Sequence, residues 1–182
     1  MVLIFLHKIT ARKEYIFRHI FKRLLEFPFQ FTSDLSEFIA HEGPKFSYGN
    51  KPLGDELFIW SQGLLDEVGI DDHEIEIHKW DDLPVFFSAP DRSDVPFDLF
   101  AASFYLLTRY EEYLPHVKNR IGDFPASESV GYQNGFLNKP IINIWMNKFA
   151  DILKTKFEDI ELNALNTELK VLIAVERAYK YR

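Results

Sequence analysis

The chain begins with the strand-like run Val2-Leu3-Ile4-Phe5-Leu6, continues through a helical pattern over 11–26, and reaches the alternating segment Phe29-Gln30-Phe31-Thr32. Five successive apolar residues are typical of a buried strand. Thr10 is suited to cap the N-terminus of the helix, and Pro28 ends it. The apolar residues of the helix recur at helical spacing: Ile16, Phe17, Ile20, Leu24 and Phe27. This β-α-β beginning predicts an α/β fold, a mixed sheet covered by helices in a single compact domain.

Further strands are predicted where short apolar or alternating runs lie between turns. Glycine and proline clusters bracket the strands predicted at 45–48 and 57–60. Residues 74–80 alternate with period two, which indicates a half-exposed strand. Its polar side chains are Glu74, Glu76, His78 and Lys79. The segment 168–175 is also strand-like, so the sequence predicts a strand near the end of the chain.

Two long helices are predicted in the second half of the chain. The first covers 94–114, with Asp94 as its N-cap and Pro115 at its end. Its apolar stripe consists of Phe97, Phe100, Ala101, Phe104, Leu107 and Thr108. The second helix begins near Pro140 and has a broad apolar face. Both helices are expected to cover the sheet.

The composition restricts the classes of function. Among 182 residues, 28 acidic against 21 basic side chains give a net charge of −7, which argues against nucleic acid as a partner. The absence of cysteine excludes disulfides and thiolate zinc sites, and it fits a cytoplasmic location. No apolar stretch is long enough to span a membrane. We expect one α/β domain over 1–166 and a strand-like tail over 167–182.

The common catalytic motifs are missing from the sequence, which contains no nucleophile elbow, phosphate-binding loop or dinucleotide fingerprint. The densest group of metal-competent side chains is His73 and His78 beside Asp71 and Asp72. A spacing of five places the two imidazoles on opposite faces of a strand, so no metal site and no cofactor are expected.

A basic surface is predicted on the first helix, opposite its apolar face. It consists of Arg12, Lys13, Arg18, Lys22 and Arg23. Helices commonly carry charge on the side that faces water, so this surface is interpreted as solvated. An anionic ligand or a partner domain is the alternative interpretation.

The segment Arg109-Tyr110-Glu111-Glu112-Tyr113 is the candidate binding site, because it places charge and aromatic rings at the end of an apolar helix. Arg109 is able to bind a carboxylate in a fork, and Tyr110 and Tyr113 are flat surfaces of the kind on which sugars stack. The structural alternative, which we favour, is that Arg109 and a glutamate tie the helix end to the following loop.

The same residues carry a resemblance to a known family. The run from Pro96 to Leu114 (PFDLFAASFYLLTRYEEYL) resembles a segment of the N-terminal region of polysaccharide deacetylase-like proteins of Bacteroidetes-type bacteria. Further segments resemble the same region: His7-Lys8-Ile9-Thr10, the run from Phe38 to Gly49, and the run from Phe124 to Ser129 with Gly135-Phe136-Leu137 and Pro140. The resemblance extends over nearly the whole chain.

The resemblance implies a deacetylase domain after this region, a β/α barrel that binds a divalent metal through one Asp and two His and uses another Asp as base. In this chain Ala174 and Glu176 stand where the family has its Asp-x-Asp pair. The resemblance therefore implies a non-catalytic accessory module, with a deacetylase barrel or a polysaccharide as its partner. Alternatives are a small carbohydrate-active hydrolase using Arg109, Glu111 and Glu112, and a purely structural interaction domain.

Overall fold

Strand β1 (Val2–Leu6) lies inside a four-stranded parallel sheet in a computed structural model that describes residues 1–157, 160 and 171–172. The strand order is β2 (Phe29–Thr32), β1, β3 (Lys45–Gly49) and β4 (Leu57–Trp60). All five residues of β1 are buried because neighbouring strands flank it and both faces of the sheet are covered, which explains its unbroken apolar run. The chain extends the sheet first on one side of β1 and then on the other.

Helix α1 (Ala11–Arg18) begins where the sequence predicts, because the side chain of Thr10 accepts a hydrogen bond from the backbone N–H of Lys13 at 3.2 Å. The helix continues as a π-helical segment, His19–Leu24. Phe17 and Phe21 are fully buried on its inner face, against the sheet. The predicted helix over 11–26 is thus confirmed, with a widened final turn.

The opposite face of the sheet is covered by the short helix α2 (Leu35–Ala40). Asp34 caps this helix by accepting hydrogen bonds from the N–H groups of Ser36 and Glu37. Phe38 packs there against Leu3 and Phe5 of β1 and forms a second, small core cluster. Because α1 and α2 lie on opposite faces, the parallel sheet is buried between two helical layers.

The predicted helix over 94–114 is wrong at both ends. Helix α3 covers Leu99–Leu107, and its N-cap is Asp98, whose side chain accepts from the N–H of Ala101 at 2.9 Å. Asp94 instead accepts a hydrogen bond from the N–H of Phe58 at 2.6 Å, so it protects the edge of β4. At the other end, Arg109 has φ of 53°, which breaks the helix before a 3₁₀ turn over Tyr110–Tyr113.

Helix α5 (Ile141–Lys156) begins directly after Pro140, as predicted, and follows the short helix α4 (Val130–Gln133). Its Trp145 is fully buried and donates a hydrogen bond from Nε1 to the carbonyl of Pro84 at 3.1 Å. This bond joins α5 to a second sheet, in which strands β5 (His78–Trp80) and β6 (Leu83–Val85) pair antiparallel. Parallel and antiparallel pairing therefore lie in two separate sheets.

The strand predicted over 74–80 forms ladder hydrogen bonds only in its last three residues. The alternation of apolar and polar residues still matches their burial, since Ile75 and Ile77 pack against the main core while Glu74 and Glu76 are exposed. The strand predicted at 168–175 falls outside the described residues, apart from Val171 and Leu172. Of the helices that the structure describes, none is long and apolar enough to cross a membrane. The predicted α/β single domain is confirmed.

Candidate functional site

The turn that follows α3 presents the charged residues of the predicted site. Arg109 lies at the junction between α3 and the 3₁₀ turn with left-handed backbone geometry (φ 53°, ψ 45°), which costs a non-glycine residue free energy. Its guanidinium forms an ion pair with Glu112, three residues later. The side chain of Arg109 is 71% exposed and that of Glu112 only 25%. The geometry therefore places the cation at the surface and its carboxylate partner further in.

Glu111 has a different role from Glu112. Its Oε2 accepts a hydrogen bond at 2.8 Å from the backbone N–H of Val130, the first residue of α4. Burial raises the pKa of Glu111, an effect that the Val130 hydrogen bond opposes and the nearby charge of Glu112 reinforces. Glu111 is thus the residue that ties the turn to the loop, a role that we predicted for Arg109 together with a glutamate.

A cleft of about 430 Å³ opens beside this turn. Its apolar lining comes from three parts of the chain: Leu106, Phe124, Ala126, Phe136, Leu137, Pro140, Ile141 and Ile142. Arg109, Glu111, Glu112 and Lys139 supply charge to the same cleft. An apolar floor with a few charged groups around it is the usual composition of a binding pocket.

The prediction that Tyr110 is a stacking surface for sugars is wrong. Its ring is 3% exposed, packs 5.2 Å from the ring of Tyr105 and lies under the guanidinium of Arg12. Its hydroxyl accepts from the N–H of Asp71 at 2.9 Å and donates to the carbonyl of the same residue at 3.2 Å. The left-handed backbone of Arg109 changes the direction of the chain after α3. As a result, the side chain of Tyr110 points into the core.

Tyr113, by contrast, is 69% exposed, although it does not line the cleft. It belongs to a group of exposed large apolar residues in the segment 113–137, which also supplies much of the cleft lining. The group consists of Tyr113, Val117, Ile121, Tyr132 and Leu137. Of these residues Leu137 lines the cleft, and an exposed apolar side chain in a pocket is characteristic of an interaction surface.

Part of the basic surface predicted on α1 is engaged within the protein. Arg12 donates to the carbonyls of Leu64, at 2.7 Å, and Gly69. Lys13 is 3% exposed and pairs with Asp66 at 2.6 Å. The interpretation of Arg12 and Lys13 as solvated is therefore wrong, because both hold the loop that follows β4 against the start of α1.

A polar pocket of about 300 Å³ lies beyond the end of β4. It is lined by Gln62, His73, Glu74, Glu76, His78, Phe87 and Ser88. His73 and His78 border the same pocket because residues 71–77 are not part of a strand, so placing the two imidazoles on opposite faces was wrong. Among the described residues, no three His, Asp or Glu side chains are arranged to hold a metal ion.

Behind this pocket lies a buried polar cluster centred on Asp98, the N-cap residue of α3. Asp98 is completely buried and accepts from the hydroxyl of Tyr48 at 2.9 Å and from the N–H of Gln62 at 2.7 Å. Burial raises its pKa from 3.8 to about 6, against the opposing effect of these hydrogen bonds. A buried acid beside a pocket is a recognised sign of a functional site.

Comparison with known proteins identifies the family. A model of a family of unknown function, DUF7033, matches residues 2–158, and the chain belongs to that family. Searches of curated proteins and of solved structures found no match.

Proposed function

We propose that this member of a family of unknown function is a non-catalytic module that packs against a partner protein domain through the cleft beside Arg109. The observation that carries the proposal is the cleft's apolar floor, which includes the exposed Leu137 and is bordered by Arg109, Glu112 and Lys139. Interfaces between proteins commonly have an apolar centre and a charged rim. A side chain of the partner seated in such a pocket contributes a large share of the binding energy.

The cleft supports a protein partner better than a glycan. Neither tyrosine predicted to stack on a sugar serves the cleft, since Tyr110 is buried and Tyr113 lies outside the lining. The half-buried aromatic ring in the lining, Phe124, has no hydrogen-bonding group. Leu137, which lines the cleft, is 51% exposed and offers apolar contact without a hydrogen-bonding group. Water-exposed apolar side chains gain the most from burial against another apolar surface.

The two glutamates support binding more than hydrolysis. Hydrolysis of a glycosidic bond uses two carboxyl groups that flank the substrate, one as acid and one as base or nucleophile. Here Glu111 accepts the N–H of Val130 and Glu112 is paired with Arg109, so each carboxylate already has a partner within the fold. The partner that we propose is a deacetylase-type barrel, since the sequence resembles the region that precedes this domain in polysaccharide deacetylase-like proteins.

The proposal is tested by calorimetric titration of the full chain with a purified deacetylase domain from a polysaccharide deacetylase-like protein. We expect saturable binding that Leu137→Asp weakens by at least about tenfold, as loss of a central apolar contact does. Leu35→Asp is the matched control, because Leu35 on α2 is exposed to a similar extent (44%) on the opposite face of the sheet. The affinity of the Leu35→Asp variant for the deacetylase domain should equal that of the wild type.

A parallel titration with chitin oligosaccharides covers the glycan alternative. Oligosaccharide binding that Leu137→Asp abolishes, with no binding of the deacetylase domain, would assign the cleft to a glycan and overturn the proposal. Equal affinities of Leu137→Asp and Leu35→Asp for the deacetylase domain would also contradict it, because the contact would then lie elsewhere.

A further inference from the structure

The loop 115–123, which follows the turn after α3, has an apolar and basic tip. Val117 is 72% exposed and Ile121 is 81% exposed, and the exposed cations Lys118 and Arg120 lie between them in the sequence. Neither cation forms an ion pair with a residue that the structure describes. The tip therefore presents two apolar side chains and two uncompensated positive charges to water.

This tip has a defined shape because Asn119 closes it. The Oδ1 atom of Asn119 accepts hydrogen bonds from the N–H of Ile121 at 3.0 Å and from the N–H of Asp123 at 2.9 Å. The N–H of Asn119 donates in turn to the carbonyl of Asp123 at 2.9 Å. Gly122 has φ of 91°, a left-handed conformation that glycine adopts without strain. A loop that is already ordered loses little conformational entropy when a partner covers it.

The loop 67–72, which follows β4, has an apolar tip with the opposite charge. Val68 is 93% exposed and Ile70 is 45% exposed, and the exposed carboxylates of Asp71 and Asp72 follow them. Within the described part of the chain, neither carboxylate forms an ion pair. Isolated exposed apolar residues are common, but here two ordered loops each combine apolar side chains with unpaired charge, and the two charges are opposite.

The two loops lie on the same side of the molecule. The hydroxyl of Tyr110, in the turn that leads to the basic loop, accepts from the N–H of Asp71 at 2.9 Å and donates to its carbonyl at 3.2 Å. The guanidinium of Arg12 donates to the carbonyl of Gly69 and fixes the apolar end of the acidic loop. In a symmetric dimer, a patch on one copy contacts a second patch on the other copy, and the contact is repeated by the two-fold axis. Two complementary loops on one side of a chain fit this arrangement.

We propose that two copies of this chain form a symmetric dimer, in which the basic loop 115–123 of each copy contacts the acidic loop 67–72 of the other. The apolar side chains of the two loops pack together, and the cations of one loop pair with the carboxylates of the other. Burial of the apolar side chains favours association, and the charges fix the orientation. The net charge of −7 on each copy opposes association only weakly, because charges separated by more than about 8 Å are screened at physiological salt. This inference is independent of the cleft beside Arg109.

The test is sedimentation velocity of the full chain over a series of concentrations, in which the wild type should change from monomer to dimer. Two double variants each reverse the charge of one loop: Lys118→Glu with Arg120→Glu, and Asp71→Lys with Asp72→Lys. Each variant alone should dimerise at least about tenfold more weakly, because like charges then face each other. An equimolar mixture of the two variants should restore the dimer, since each loop again meets a loop of opposite charge.

The matched control is Lys22→Glu with Arg23→Glu, which changes the net charge by the same amount. Both positions are exposed, and they lie ten and eleven residues after Arg12 in the helical segment that begins with α1. The control should dimerise as the wild type does. Ile121→Ser leaves the charge unchanged and should also weaken the dimer, through the loss of apolar contact.

Three results would overturn the inference. The first is a wild-type chain that stays monomeric up to about 1 mM, because a dimer weaker than this has little binding free energy. The second is an equal loss of dimer in the control, which would assign the effect to net charge. The third is a mixture of the two loop variants that stays monomeric, because the two loops then do not face each other. Circular dichroism spectra establish that the variants are folded, as expected for substitutions at exposed positions.

Discussion

At the scale of single residues, the fully buried Asp98 links pH to stability. Its pKa in the folded protein is about 6, against an ordinary value of 3.8, because burial disfavours the charged form. The folded state therefore binds the proton more tightly than the unfolded state. The contribution of Asp98 to the free energy of unfolding is fully present below about pH 4 and is lost as the pH rises to about 6.

The corresponding prediction compares the wild type with Asp98→Asn, which has no ionisable group at this position. Between pH 4 and pH 7 the unfolding free energy of the wild type should fall, relative to that of the variant, by about 2 kcal/mol. Urea denaturation at both pH values measures this change. A difference in unfolding free energy between the two proteins that does not vary with pH would contradict the assignment. Any part of the difference that is the same at both pH values reports the altered hydrogen bonds to Tyr48, Gln62 and Ala101.

Truncation of Phe100 is expected to cost much stability, because its ring lies in the centre of the aromatic core. It is fully buried, 4.0 Å from the ring of Phe17 and 5.9 Å from that of Phe149. Phe100→Ala should lower the unfolding free energy by about 3–5 kcal/mol, through lost transfer energy and the cavity left behind. Phe104→Ala should cost less, since Phe104 is 8% exposed at the edge of the core. Equal denaturation midpoints for the two variants would contradict this ranking.

At the scale of elements, the turn after α3 orders the loop through Glu111 and not through Arg109. Glu111→Ala leaves the N–H of Val130 without its acceptor and should cost about 1–3 kcal/mol. Amide hydrogen exchange over 115–135 should become faster in this variant. Arg109→Ala is the control and should change stability by less than about 1 kcal/mol, because its ion pair is exposed. Faster exchange in Arg109→Ala alone would restore the role predicted from the sequence.

The elements that the sequence predicts well are those set by local signals. Thr10 caps α1 and Pro140 precedes α5, and both contacts involve residues within one helical turn. The order of the strands depends on pairings between distant segments, such as Val2 with Phe29 and Leu3 with Lys45. The covering of Arg12 and Lys13 depends on contacts with residues more than 50 positions away. Neither hydrophobic periodicity nor capping residues contain information about such distant contacts.

The candidate site, like the elements, was predictable only where a local signal in the sequence marks its residues. Its charged residues, Arg109 and Glu112, stand out in the sequence because they interrupt an apolar helix, and the structure places both beside the cleft. The burial of Tyr110 was not predictable, because it follows from the left-handed backbone of Arg109, and an arginine gives no local signal for that conformation. The residues of the polar pocket are separated by up to 26 positions and meet only through the fold.

At the scale of the whole molecule, the main hydrophobic core joins α1, α3 and α5 to both sheets. Residues from β1, α1, β6, α3 and α5 belong to one contiguous cluster of buried side chains. The smaller cluster of Leu3, Phe5 and Phe38 shares strand β1 with it. No boundary separates these elements within the described part of the chain, so they are expected to unfold together.

The prediction is a single cooperative transition in urea, followed by two independent probes. In a variant with Trp60→Phe and Trp80→Phe, the fluorescence of the remaining Trp145 reports the packing between α5 and β6, since its Nε1 is bonded to Pro84 and its ring is fully buried. Far-ultraviolet circular dichroism reports all helices and strands at once, and the two midpoints should coincide. Phe17→Leu, a substitution in α1 on the other side of the core, should shift both midpoints equally. If only the circular dichroism midpoint moves, α5 and the second sheet form a unit that unfolds separately from the parallel sheet.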